Sequence, residues 1–232
     1  KSQGGIEWVD ADTLLVSRDV GEGTLTESQY PRTSRIWKRG TAIEDAQEIW
    51  RGEEADVWSS ATLLRDHTGT AHGYYAFRAT SFHETEYFWQ HGGEWLRLDM
   101  PLKAAPYGLI DGQLLFSTDV DWETQGQTFP ADPNGATKTL VWSPEDKQTK
   151  QGAANTAESL YVSLLDNVRG RVLKFDHVDG GWVSSEIPLP DNSTVGVQTA
   201  SESSDEIMYS VTDFLTPSTL YYSDGSAAPE VI

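Results

Sequence analysis

LYVSLLD at Leu160–Asp166 is a short apolar run that closes on an aspartate, and the same shape returns three more times. The other copies are TLLVSRD at Thr13–Asp19, QLLFSTD at Gln113–Asp119 and IMYSVTD at Ile207–Asp213. Short runs rich in β-branched and aromatic residues, bounded by turn formers, read as strands. Asp119, Asp166 and Asp213 follow one another at intervals of 47 residues, and Asp19 precedes Asp119 by 100, room for two units. GYYAFRAT at Gly73–Thr80 supplies the intermediate copy, with Thr80 where the others carry Asp.

Each copy sits among further strand-like runs. In the first unit these cover Ile6 to Val9, Thr13 to Ser17, Ser34 to Arg39 and Gln47 to Trp50. In the second they cover Val57 to Leu64, Tyr74 to Arg78, Glu86 to Gln90 and Trp95 to Leu98. Turn signals separate them: Asp-Ala-Asp at 10–12, His-Gly-Gly at 91–93, Asp-Gly at 111–112 and Asp-Gly-Gly at 179–181. Four strands recurring every 40 to 50 residues mark a propeller blade, because one such sheet cannot bury both of its faces alone and must stack on its neighbours. The expectation is an all-β chain, a β-propeller of about five four-stranded antiparallel blades in a single domain over 1–232. The blades fall at 1–52, 53–101, 102–147, 148–191 and 192–232. Helical periodicity is absent beyond a turn at Thr41 to Ala46, which disfavours parallel α/β folds. A β-sandwich is the alternative, although it would not require equal spacing.

Composition narrows the function. The 232 residues hold 17 Lys and Arg against 36 Asp and Glu, a formal charge of −19, and such a field repels nucleic acid. The acidity serves as a hydrated surface, with attraction of basic peptides as the sharper alternative. Aromatic residues make up 11% of the chain, far from the aromatic-poor composition of disordered acidic segments. With no cysteine, thiolate metal sites, disulfides and cysteine nucleophiles are excluded, and the compartment stays unknown: cytoplasm and periplasm fit equally. No apolar run approaches the roughly 20 residues that span a bilayer, so no membrane partner is expected. KSQGGIEWVDAD at the start has neither an initiator Met nor an apolar leader core, so the chain is expected to begin inside a longer polypeptide.

Three segments carry a resemblance to a known family. WVDADTLLVSRD at Trp8–Asp19, GEGTLTESQ at Gly21–Gln29 and YPRTSRIWKRGT at Tyr30–Thr41 run together like a propeller segment of bacterial prolyl oligopeptidases. VTDFLTPSTLYY at Val211–Tyr222 resembles the family's last blade, and LLDNVRGRVLKFD at Leu164–Asp176 the one before it. The resemblance implies a serine peptidase in which an α/β-hydrolase domain bears a Ser-His-Asp triad, capped by a propeller that admits only short peptides. Family propellers have seven blades, so this one is expected to be partial. No G-x-S-x-G occurs, and without that strained elbow no serine is activated. The expected role is therefore non-catalytic: gating and orienting short peptides for a hydrolase domain of the same polypeptide, with the isolated chain inactive. Two alternatives stand beside it, a stand-alone propeller binding a protein or peptide, and a propeller glycosidase or lactonase. The glycosidase would need two carboxylates about 5–10 Å apart in one pocket.

The loop after a blade's second strand shares an end with the connections between blades, which is where a hydrolase would attach. The long loops Val20 to Thr33 and Val120 to Lys138 are the candidates, and Glu27, Tyr30, Trp122 and Phe129 the residues expected to meet the hydrolase or an incoming peptide. Trp8, Trp37, Trp50, Trp58, Trp95, Trp142 and Trp182 are expected in blade cores. His67, His72, His83, His91 and His177 read as exposed turn residues, since HETEY at His83–Tyr87 lacks the second His of a zinc helix. The recurring aspartates read as turn caps, one per blade being too widely spaced to share an ion. Neither a G-x-x-x-x-G-K nor a G-x-G-x-x-G loop is present, so no cofactor is expected.

Overall fold

The computed structural model describes residues 3–120, 138–215, 217–225 and 228–232. Its strands form antiparallel meanders in which each strand pairs with the next in sequence. Sheet 1 comprises β1 (Gly4–Asp10), β2 (Thr13–Arg18), β3 (Thr33–Lys38) and β4 (Gln47–Arg51). Sheet 2 comprises β5 (Trp58–Arg65), β6 (Ala71–Ala79), β7 (Thr85–His91) and β8 (Glu94–Arg97). A two-stranded sheet 3 pairs β9 (Ala104–Ile110) with β10 (Gln113–Thr118). Sheet 4 holds β11 (Gln148–Asn155), β12 (Ser159–Asp166), β13 (Arg169–Val178) and β14 (Gly181–Glu186). Sheet 5 holds β15 (Thr194–Ala200), β16 (Ile207–Thr212), β17 (Thr219–Ser223) and β18 (Glu230–Val231). The helical turn expected near residue 43 is a single 3₁₀ turn at Ile43–Asp45.

Among the described residues sheet 3 shows two of its expected four strands. Of the segment after β10, residues 121–137 lie outside the described set, and Val141 and Trp142 pack on the neighbouring apolar core without entering a ladder.

The chain divides into two compact units. The first is built on sheets 1 and 2. Trp50, Ala61 and Ala76 are buried there, with Ile49, Phe88 and Trp95 packed around them. The Trp50 ring lies 4.9 Å from both Phe88 and Trp95. The second unit is built on sheets 4 and 5 and residues 107–115 of sheet 3. β12 is its centre and is buried on both faces. Leu160, Val162 and Leu164 join Ile110, Leu115 and Phe175 on one side. Tyr161 joins Val172, Val195, Ile207, Tyr209 and Val211 on the other. This is the period-2 alternation of a strand, and each side chain of that size contributes about 1.5–3 kcal/mol on leaving water.

The tight turns follow their sequence signals. Asp111 and Gly112 take φ 47° and 70°, and Asp179 and Gly180 take 51° and 80°, the paired left-handed conformation that lets two residues reverse a twisted hairpin. Two tryptophans depart from the expected core role. Trp8 and Trp58 remain 54% and 49% exposed, Trp8 lying beneath the Arg39 guanidinium at 5.4 Å and Trp58 edge-on to Phe77.

Candidate functional site

The long connection from β2 to β3 is folded against its own unit. Asp19 opens it as a cap, its Oδ1 accepting from the Gly21 amide at 3.0 Å and the Thr24 hydroxyl at 3.3 Å. Leu25 bridges to Pro31, and the tip closes with the Thr26 amide donating to the Tyr30 carbonyl at 2.8 Å and the Gln29 amide to the Thr26 carbonyl at 2.9 Å. Thr26 is 2% exposed; its hydroxyl accepts from the Tyr30 amide and donates to the Val57 carbonyl.

Two arginines fasten the base of this loop. Arg32 donates through Nη1 to the Gly52 carbonyl and through Nε to the Gly23 carbonyl, and Arg51 reaches the same Gly23 carbonyl at 2.7 Å. The Glu27 amide donates to the Glu54 carbonyl at 2.8 Å, so the tip lies against the connection from sheet 1 to sheet 2. That connection is itself ordered by Asp56, 3% exposed. Asp56 takes the Glu53 amide at 2.7 Å and a two-pronged contact from Arg78 at 2.9 and 3.0 Å. The hydrogen bonds that Arg78 donates to Asp56 raise the Arg78 pKa above its ordinary value against the opposing effect of burial. Gly52 has to be glycine, since a Cβ there would stand 2.5 Å from the Ser59 side chain and 2.8 Å from an Asp56 oxygen.

Of the four residues expected at the site, Glu27 and Tyr30 sit together at this tip with their side chains exposed. Trp122 and Phe129 lie outside the described residues. Sequence reading missed Asp56, Arg32 and Arg78, whose roles depend on hydrogen-bond partners up to 22 residues away that no local pattern announces.

His177 also differs from expectation. It lies within β13, its side chain only 11% exposed, and its ring spans two sheets of the second unit. Nε2 accepts from the Gln113 amide nitrogen at 2.9 Å, and Nδ1 donates to Asp111 Oδ2 at 2.6 Å. A carboxylate–imidazole pair of this kind prepares a general base when a hydroxyl or thiol occupies the far nitrogen. Here an amide occupies it, so the arrangement fastens sheet 3 to sheet 4. Among the described residues no group of three His, Cys, Asp or Glu side chains is placed to hold a metal ion, and no helix is long and apolar enough to cross a membrane. The recurring aspartates act locally: like Asp19, Asp213 accepts from an amide two residues on, that of Leu215 at 2.7 Å, and Asp166 stands 3.2 Å from Arg171 Nε.

Consecutive four-stranded meanders ending in short turns define the propeller class. Residues 1–229 match the family "Prolyl oligopeptidase, N-terminal beta-propeller domain". The chain belongs to that family. It is 31% identical over 239 residues to the uncharacterized peptidase y4nA of Sinorhizobium fredii, covering 95% of this chain and 33% of that protein. The uncharacterized peptidase RP174 of Rickettsia prowazekii is 20% identical, with 92% and 32% covered. Among solved structures, a post-proline cleaving enzyme from Rickettsia typhi superposes with a TM-score of 0.83 at 18% identity, over 99% of this chain and 36% of that one. The fold is thus a β-propeller, and the chain spans about a third of the length of the curated relatives it matches.

Proposed function

We propose that this chain is the non-catalytic propeller of a prolyl-oligopeptidase-like serine peptidase, gating and orienting short peptides for a hydrolase domain of the same polypeptide. The observation that carries the reading is the family match across 1–229 in a chain that spans only a third of relatives named peptidases. Two features support it. The chain has no G-x-S-x-G, so chemistry must come from elsewhere. The tip bearing Glu27 and Tyr30 is held by backbone and arginine contacts, which suits a surface that positions a peptide or a neighbouring domain. A folded protein is too wide for the entry that such a propeller leaves, while a flexible peptide passes and meets the nucleophile.

The test is to express the uninterrupted reading frame that contains these residues, and the 232-residue chain separately. The long product should cleave a short peptide after proline and spare a folded protein bearing the same sequence, and a serine-directed phosphonate should abolish the activity. The 232-residue chain should cleave neither. Hydrolysis by that chain, or equal rates on peptide and folded protein, would sink the reading.

A further inference from the structure

Every other arginine of the first unit donates to a carbonyl or a carboxylate, but the Arg18 side chain, exposed at the end of β2, has no such partner among the described residues. This happens in a chain where acids outnumber bases 36 to 17. Its position follows from the register of sheet 1. Residues paired across an antiparallel ladder, and residues two apart along one strand, share a face. Glu7, Ser17, Ser34 and Trp50 all hydrogen-bond to sheet 2, so Ile6, Trp8 and Arg18 point away from it. Ile6 and Trp8, 71% and 54% exposed, form an apolar stripe along the edge strand β1. Gly4 lies directly across from Arg18 and adds no side chain, and a Cβ there would collide with the Ser17 carbonyl oxygen. What remains is an open cleft of about 250 Å³ lined by Gln3, Gly4, Gly5, Ile6 and Arg18.

The same face is short of acceptors. Arg35 pairs with Val16 across one ladder and Thr33 with Arg51 across the next, which places all of them on the Arg18 side. Arg35 Nε and Thr33 Oγ1 are buried there without a hydrogen-bond partner. Glu48, shared by Arg35 and Arg51, is the acid that answers them. Three guanidinium groups against one carboxylate leave positive potential at this corner of an acidic chain. The buried donors cannot reach a ligand themselves, whereas Arg18 at the rim can.

We infer that the Arg18 cleft binds the C-terminal carboxylate of a peptide whose last side chain is apolar and lies on Ile6 and Trp8. A guanidinium offers two parallel N–H groups to the two oxygens of a carboxylate. Gly4 and Gly5 let the ligand backbone come close, and the apolar stripe buries its final side chain. A free phosphate would meet the same cation but gain nothing from Ile6 and Trp8. The inference rests on the function proposed above for its occupant, a short peptide, and adds a preference for a free carboxyl terminus.

The test uses the full-length polypeptide and phenylglyoxal, which modifies accessible guanidinium groups. Mass spectrometry follows the modification of Arg18 and, for comparison, of exposed Arg169. The probes are acetyl-Ala-Ala-Leu with a free carboxylate, the same peptide as its carboxamide, and inorganic phosphate. The free acid should slow modification of Arg18 at least tenfold and leave Arg169 unchanged, while the carboxamide and phosphate should slow neither. In calorimetry, R18Q should bind acid and carboxamide alike. Equal effects of acid and carboxamide on Arg18 would overturn the inference, and so would protection by phosphate as strong as that by the acid. An Arg18 that already reacts tenfold more slowly than Arg169 without any peptide would overturn it too, by showing that another part of the polypeptide covers the cleft. Cleavage of a proline-containing peptide by the same samples separates the two readings: protection without cleavage keeps the carboxylate site and removes the gating, and cleavage without protection does the reverse.

Discussion

The interface between sheets 1 and 2 and the interface between sheets 4 and 5 solve the same packing problem with different chemistry. Between sheets 1 and 2 a network of hydroxyls stands beside the apolar contact of Trp50 with Phe88 and Trp95. Ser17 shares hydrogen bonds with Ser34 at 2.7 Å and Ser60 at 2.8 Å, Ser34 accepts from the Ala61 amide, and the Trp50 indole donates to Ser59 at 2.7 Å. Glu7 reaches across from β1 to accept from the Thr62 hydroxyl and the Leu63 amide. Between sheets 4 and 5 the middle is apolar, and polar contacts keep to the margins: Asp205 accepts from the Thr156 hydroxyl at 2.8 Å and the Glu158 amide at 3.1 Å, and the Gly170 amide donates to the Ser193 carbonyl. The difference teaches how each interface is specified. Hydroxyl pairs tolerate one register, because a slip leaves buried donors without acceptors, whereas an apolar seam is held by volume and resists loss of atoms more than loss of direction.

The largest effect should come from the apolar seam. Tyr209 is fully buried, and Tyr209→Ala should cost about 3–5 kcal/mol through lost burial and the cavity left behind. Hydrogen exchange should rise in β12, β13, β15 and β16 while β3 and β5 stay protected. Equal loosening of both regions would show that the two interfaces are not separable.

A smaller effect is expected at the serine pairs. Ser34→Ala removes little volume but leaves the Ala61 amide without its acceptor, a cost of about 1–3 kcal/mol in chemical denaturation. The loss should appear first in β3 and β5, and a change below a few tenths would mean that water replaces the hydroxyl.

The smallest effect at neutral pH should follow Tyr209→Phe, because the Tyr209 hydroxyl is buried without a hydrogen-bond partner. Burial raises the pKa of Tyr209, and pushes that of Tyr161 up to about 12. The sign follows from which state holds the proton. Above pH 10 the unfolded tyrosines ionise while the folded ones stay protonated, so stability present below pH 10 is lost as pH rises toward 12. Tyr209→Phe should therefore be close to wild type at pH 7 and more stable than wild type at pH 11. Denaturation midpoints at the two values decide it, and parallel curves would rule the ionisation out.

Several site features were legible before any coordinates, and others were not. Asp19 and Asp213 act as caps because the acceptor and its amide lie two residues apart, a distance that sequence displays directly. Glu27 and Tyr30 were singled out because a loop of that length interrupts an otherwise regular meander, and both stand exposed at its tip. His177 was misread as a turn residue because its two partners, Asp111 and Gln113, are more than 60 residues away. Asp56 was overlooked for the same reason, its Arg78 lying on another strand.

From its residues alone the chain declared a strand repeat, the turns that reverse it, and the absence of a nucleophile elbow. These depend on alternation and on φ preferences, which neighbouring residues settle among themselves. Which serine meets which, and that one histidine joins two sheets, were decided only when strands distant in sequence were brought face to face, since a side chain's partner across a sheet interface is set by register and stacking.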